Sequence, residues 1–191
     1  NISATSVVSG NTLNPDFTSG AGDWTYNDWE DPANASGNYQ SSGGNLDGFI
    51  DIVAKEKKDK TVSGFWEQSF AVTEDNPDTA TVSLDWIISQ YDTTYMETFD
   101  LYVFVDSSSG APIIGQEVWS ESITSATSWT SESGIDVTSK LSLSGTYYLK
   151  VVSRVDHGKG KGKQDGENAA GFDNVSLSWS KTSSGGGASY P

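Results

Sequence analysis

Apolar side chains recur at every second position in several stretches of the chain, which is the period of a strand with one buried face. In Thr81 to Ser89, Val82, Leu84, Trp86 and Ile88 fall on one side, while Ser83, Asp85 and Ser89 take the other. Asp173 to Trp179 repeats the arrangement, with Val175, Leu177 and Trp179 opposed to Asn174, Ser176 and Ser178. Further strands are expected over Gly48 to Ala54, Val62 to Val72, Phe99 to Val105, Ile113 to Ser120 and Thr146 to Val155. Leu101 to Val105 is apolar on both faces and reads as a central strand. Turn residues separate these runs at Glu74 to Asp78, Ser107 to Gly110 and Ser142 to Gly145. No segment sustains a helical period with caps. The pattern predicts an all-β chain, a two-sheet antiparallel jelly-roll β-sandwich.

A chain of 191 residues can bury one full core, so a single domain is expected. The sandwich takes residues 13–180, after an uncharged arm or first strand over 1–12 and before a Gly/Ser-rich tail over 181–191. The absence of Cys excludes disulfides, thiolate metal sites and thiol catalysis. Apolar runs are strand-sized, so no membrane span is expected. A net charge of −15 repels phosphate backbones, which argues against nucleic acid as a partner, whereas an acidic surface suits Ca²⁺. The sequence begins at Asn1 without Met, which fits an exported protein whose signal peptide is gone. An extracellular or cell-surface location follows as an expectation.

Charge is unevenly placed. Lys55, Lys57, Lys58 and Lys60 form one cluster, and Lys159, Lys161 and Lys163 form another in a Gly-rich loop, so seven of 11 basic residues sit in two short stretches. Each reads as a solvated loop or as a positive patch for the acidic surface of a second copy. Both ends are uncharged. Ile2, Ala4, Ser6, Val7 and Val8 suit a strand, which either opens the chain's own sandwich or adds to the edge of a neighbouring subunit. The tail, including Tyr190, has the composition of a linker and is the other candidate subunit contact.

Asn14-Pro15-Asp16-Phe17 followed by Gly22-Asp23-Trp24 resembles the opening of carbohydrate-binding modules and other galactose-binding-like jelly rolls. Gly171-Phe172-Asp173-Asn174-Val175 is similar to their closing strand, and Gly145-Thr146-Tyr147-Tyr148-Leu149 to the strand before it. The resemblance spans roughly Leu13 to Trp179 and implies the same fold. It also implies a structural Ca²⁺ held by an opening Glu, loop carbonyls and the Asp of the closing strand. Asp173 matches that Asp, but Thr18 stands where the Glu would be, so Asp16 or Asp23 would have to supply the missing carboxylate.

Sugar rings stack their C–H faces on flat side chains. Trp24 is expected to plug the core, whereas Tyr26, Trp29, Tyr91 and Tyr95 are the candidates for an exposed platform. Asn34-Ala35-Ser36 is an N-glycosylation sequon. No catalytic motif is present. The lone His157 reads as a solvent-facing loop residue, and Glu67 and Glu117, both on expected strands, are conceivable as a glycosidase pair. The sequence thus points first to a non-catalytic structural subunit that joins copies of itself into a filament or surface polymer through its termini. The alternative is a calcium-stabilised carbohydrate-binding module for polysaccharide. A small jelly-roll glycoside hydrolase comes third.

Overall fold

A computed structural model describes residues 5–45, 47–159 and 166–184. The chain forms two antiparallel sheets packed face to face, an all-β sandwich. Its strands are β1 (Thr5–Asn11), β2 (Thr25–Asp28), β3 (Ala35–Gln40), β4 (Phe49–Lys55), β5 (Thr61–Val72), β6 (Thr79–Gln90), β7 (Met96–Asp106), β8 (Trp119–Ser122), β9 (Thr130–Asp136), β10 (Gly145–His157) and β11 (Glu167–Ser184). The six-stranded sheet runs β3-β4-β11-β6-β9, with β1 also paired to β11. The five-stranded sheet runs β2-β5-β10-β7-β8.

Alternation decides which side chains meet between the sheets. From the six-stranded sheet come Ile50, Ile52, Val82, Leu84, Ile88, Phe172 and Leu177, all at most 1% exposed. Val62, Leu101, Val103, Leu149, Val151 and Val155 face them from the other sheet, each fully buried. Each such aliphatic or aromatic side chain contributes about 1.5–3 kcal/mol on burial. Trp24 plugs one end of this core as expected, with its ring 5.7 Å from that of Phe17.

The opening and closing segments are stitched together. Thr12 N–H donates to Leu177 O, Leu177 N–H to Thr12 Oγ1, and Val175 N–H to Pro15 O. Asn174 sits in the left-handed region (φ 49°), at a bulge where pairing with β6 jumps from Asp173 to Ser176. Asn tolerates that conformation better than most residues, and the bulge turns Asp173 under the 41–48 loop.

Three expectations are corrected. Residues 5–11 pair within the chain, from Thr5↔Ser184 to Asn11↔Ser178. β1 is thus the first strand of the chain's own sandwich, one of the two readings above, with one edge bonded to β11, and the tail strand extends to Ser184 to receive it. Ile2, Ala4 and Tyr190 lie outside the described residues. Second, no strand covers Ile113 to Val118; residues 107–118 form a loop with Gly110 and Gly115 at positive φ, and pairing begins only at Trp119. Third, β10 rather than β7 lies at the centre of its sheet.

Candidate functional site

The solvent side of the five-stranded sheet carries the densest set of chemically useful side chains. Register lines them up in rows across the strands. One row reads Asn27, Phe65, Val152, Tyr102 and Ser120 from β2 to β8. The next reads Ser63, Arg154, Asp100 and Ser122. Phe65, Phe104 and Val152 form a small apolar cluster here, separate from the main core and at most 1% exposed. Half-buried Trp29 and Tyr102 pack on it from above. This second layer explains why β7 is apolar on both faces although it is not central.

Trp29 is placed by the segment after β2, whose main chain follows β5: Trp29 N–H donates to Ser63 O and Ser63 N–H to Glu30 O. Glu30 then reaches Arg154, accepting from Nε at 2.8 Å and from a terminal nitrogen at 3.3 Å. Ser63 Oγ completes this group by donating to Glu30 at 3.0 Å. Asp100 accepts from Ser122 Oγ at 2.7 Å. Burial, then the charge of Asp100, holds the Tyr102 phenol above its ordinary pKa, so it remains a neutral hydroxyl. The result is two aromatic side chains beside a guanidinium, two carboxylates and hydroxyls.

At the other end of the same face, the 107–118 loop folds down onto Lys150, which is 1% exposed. Its ammonium donates to Asp106 Oδ2 at 2.8 Å and Ser108 O at 3.0 Å, and lies 5.9 Å from the Phe65 ring centre. Glu67 accepts from Gly110 N–H and from Asn27 Nδ2, while Glu117 accepts from Gly115 N–H. Both carboxylates conceived as a glycosidase pair thus hold backbone of this loop.

The expected aromatic platform is divided by the fold. Trp29 lies on this face, joined by Tyr102, which the sequence reading missed. Tyr26 points the other way and packs on Trp66 at 5.5 Å, beneath Gly37 and Gly64, whose missing side chains make room for its ring. It belongs to the core. Tyr91 stacks on Phe99 at one end of the sandwich, where it lines a shallow cleft with Asp92 and Glu167. Tyr95, at φ 64°, occupies the loop beside it. Neither reaches the sheet face.

The proposed calcium ligands do not form a cage. Asp173 is buried, and its two oxygens accept backbone N–H from Asn45 and Asn174, each at 2.7 Å. Beside it, Asp85 accepts from the side-chain amides of the same two residues, at 2.8 and 2.7 Å. Asp16 turns its carboxylate to Thr18, and Asp23 is exposed. Among the described residues, no group of three or more His, Asp or Glu is placed to hold a metal ion. Amide donors stand where a cation would be needed, so the residues present do not fit the ion that the motif resemblance implies. Burial, with help from nearby Asp85 and Asp16, pushes the Asp173 carboxyl up.

His157 is also not what the sequence suggested. It ends β10 and is 2% exposed, with Nδ1 3.2 Å from Lys60 O, so the proton sits on Nδ1 and Nε2 is a lone-pair acceptor. Burial holds its pKa below the ordinary imidazole value. Backbone bonds Glu56 N–H to Gly166 O, Asp59 N–H to Gly158 O and His157 N–H to Lys60 O bring the 55–60 turn against the flanks of the second Lys-rich loop. The first Lys cluster thus lies beside Gly158 and Gly166, while Lys161 and Lys163 of the second lie outside the described residues.

No family model matches the chain, and no curated protein matches it. Solved structures do. The K3 cleaved adhesin domain of Lys-gingipain from Porphyromonas gingivalis aligns with a TM-score of 0.50 at 14% identity, covering 88% of this chain and 98% of that one. A mannan-recognising carbohydrate-binding module aligns at 0.46 and 16%, covering 92% and 98%. A family 11 carbohydrate-binding module from Clostridium thermocellum, solved with a β-1,3-1,4-mixed-linked tetrasaccharide, aligns at 0.45 and 15%, covering 88% and 95%. At such identities the likeness is one of fold. The chain is a jelly-roll β-sandwich of the kind its opening and closing motifs resemble.

Proposed function

We propose that the protein is a non-catalytic, extracellular module that binds neutral polysaccharide on the solvent side of its five-stranded sheet. The observation that carries this reading is the pairing of half-buried Trp29 and Tyr102 over one apolar cluster, next to Arg154, Glu30, Asp100 and Ser122. A pyranose offers an apolar C–H face and a rim of hydroxyls that both donate and accept, and this set answers both. The overall charge of −15 disfavours anionic chains. Polymerisation through strand addition has less behind it, because β1 pairs with β11 of its own chain.

The test is affinity electrophoresis through gels containing β-mannan, mixed-linkage β-glucan, xylan or β-galactan. Retardation is expected in at least one of them. Trp29→Ala and Tyr102→Ala should each weaken it about tenfold, the loss of roughly one aromatic stacking contact. Equal mobility of the native chain in every gel and in a polysaccharide-free control refutes the proposal.

A further inference from the structure

The opposite, six-stranded sheet bears a second aromatic strip on its solvent side. Gly171, on β11, has no side chain to separate Phe49 of β4 from Ile87 of β6, and a Cβ there would lie 2.8 Å from the Phe49 ring and 2.9 Å from Ile87. The Phe49 ring meets Trp129, just before β9, edge to face at 5.5 Å. Trp129 is pinned in turn by its indole N–H, which donates to Gly43 O at 3.1 Å. Phe49, Ile87 and Trp129 are all half-buried, and none belongs to the two buried clusters. Side chains from β4, β6 and the segment before β9 thus converge beside Gly171 into one compact apolar patch.

Its flanks are polar and held in place. On the β3 side, Asp51 accepts from Asn38 N–H, Asn38 Nδ2 and Gln40 Nε2 at 3.1, 2.9 and 2.7 Å, which fixes both amide side chains beside Phe49. On the other side stand the amides of Asn45 and Asn174 with Asp85 and Asp173. No cationic side chain takes part in any of these contacts. The carboxylates of Asp51, Asp85 and Asp173 are themselves buried and hold the amides of Asn38, Gln40, Asn45 and Asn174, and these planar amides beside the apolar patch of Phe49, Ile87 and Trp129 fit hydroxyls around an apolar sugar face.

Building on the reading above, we propose that this strip is a second saccharide-binding surface, so that the module holds neutral polysaccharide on two opposite faces and cross-links it. Two sites facing away from each other cannot share one short segment of chain. They join separate chains or distant parts of one, and avidity on insoluble polymer rises without new contacts.

The experiment uses the full chain, Trp129→Ala, Ile87→Gln, the double variant Trp29→Ala/Tyr102→Ala, and all four substitutions combined. Each is checked for an unchanged far-ultraviolet spectrum and unfolding midpoint. The polysaccharide that retards the native chain is then used in soluble form, with light scattering as the cross-linking readout. The native chain should raise scattering, with a maximum at intermediate protein-to-polymer ratio. Trp129→Ala and Ile87→Gln should each abolish that rise while leaving retardation through the five-stranded face, and the fourfold variant should lose both. Native scattering that persists in Trp129→Ala and Ile87→Gln overturns the second surface and leaves the first standing. Retardation lost in Trp129→Ala but kept in Trp29→Ala/Tyr102→Ala overturns the first face instead. No retardation of the native chain in any gel overturns both.

Discussion

Lys150 offers the sharpest energetic test of how the binding face is built. It is 1% exposed, on the solvent side of a sheet, with its ion-pair partner Asp106 retaining 20% side-chain exposure. Lys150→Ala removes the cation and leaves a carboxylate under the 107–118 loop. Stranding one partner of a buried pair costs about 3–5 kcal/mol; water reaching Asp106 relieves part of that, so about 3 kcal/mol is expected. For a chain of this size that is a fall of about 6–12 °C in Tm. Lys150→Met with Asp106→Leu, which removes both charges and keeps the packing volume, should recover most of it. Urea unfolding should show the midpoint moving at constant slope. A loss below about 1 kcal/mol, the size of an exposed ion pair, would refute the idea that the loop seals this site.

Three other outcomes follow from the packing. His157 is held neutral by burial, despite the opposing charges of Glu56, Asp156 and Asp92, so its folded pKa lies below its unfolded one. The unfolded chain therefore binds the extra proton first, and stability should fall as pH drops below about 6.5 and level off once the folded pKa is passed. His157→Gln should remove that component when urea midpoints are compared between about pH 7 and pH 5. Because amide donors occupy the carboxylates of Asp85 and Asp173, EDTA should leave Tm unchanged and Asn45→Ala should lower it; a Tm that falls in EDTA and returns with Ca²⁺ contradicts the amide arrangement. Gly64→Ala drives a Cβ into the Tyr26 ring, so it should cost about 1–3 kcal/mol by overpacking in thermal unfolding, and no loss would place Tyr26 outside the core.

The candidate site was legible only in parts. Trp29 stood out as an aromatic in a polar stretch, but Tyr102 was hidden because Leu101 to Val105 has no alternation to reveal which face it takes. Arg154 and Glu30 are 124 residues apart, so their pairing had no local signature. Tyr26 and Trp29 look alike in sequence; what separates them is the pair of glycines, Gly37 and Gly64, arriving from two other strands to receive one ring and not the other. Asp173 was singled out in the sequence as a calcium ligand, yet in the fold its carboxylate accepts backbone N–H from its neighbour Asn174 and from Asn45, 128 residues away.

The sequence by itself determined the all-β class, the inward faces of β6 and β11, and the two-sheet architecture, whereas β2, β3 and β9 carry no alternation that marks them as strands. Alternation is a local property, and a strand buries whichever row is apolar. Tertiary structure decided the rest: that β1 closes on β11 instead of reaching outward, that β10 is central, that His157 and Lys150 are buried, and which solvent-side rows come together. Those choices depend on register between strands distant along the chain and on loops such as 107–118 folding over one face. A residue's own neighbours in sequence carry no record of either, because a solvent-side side chain acquires its meaning from the strands beside it.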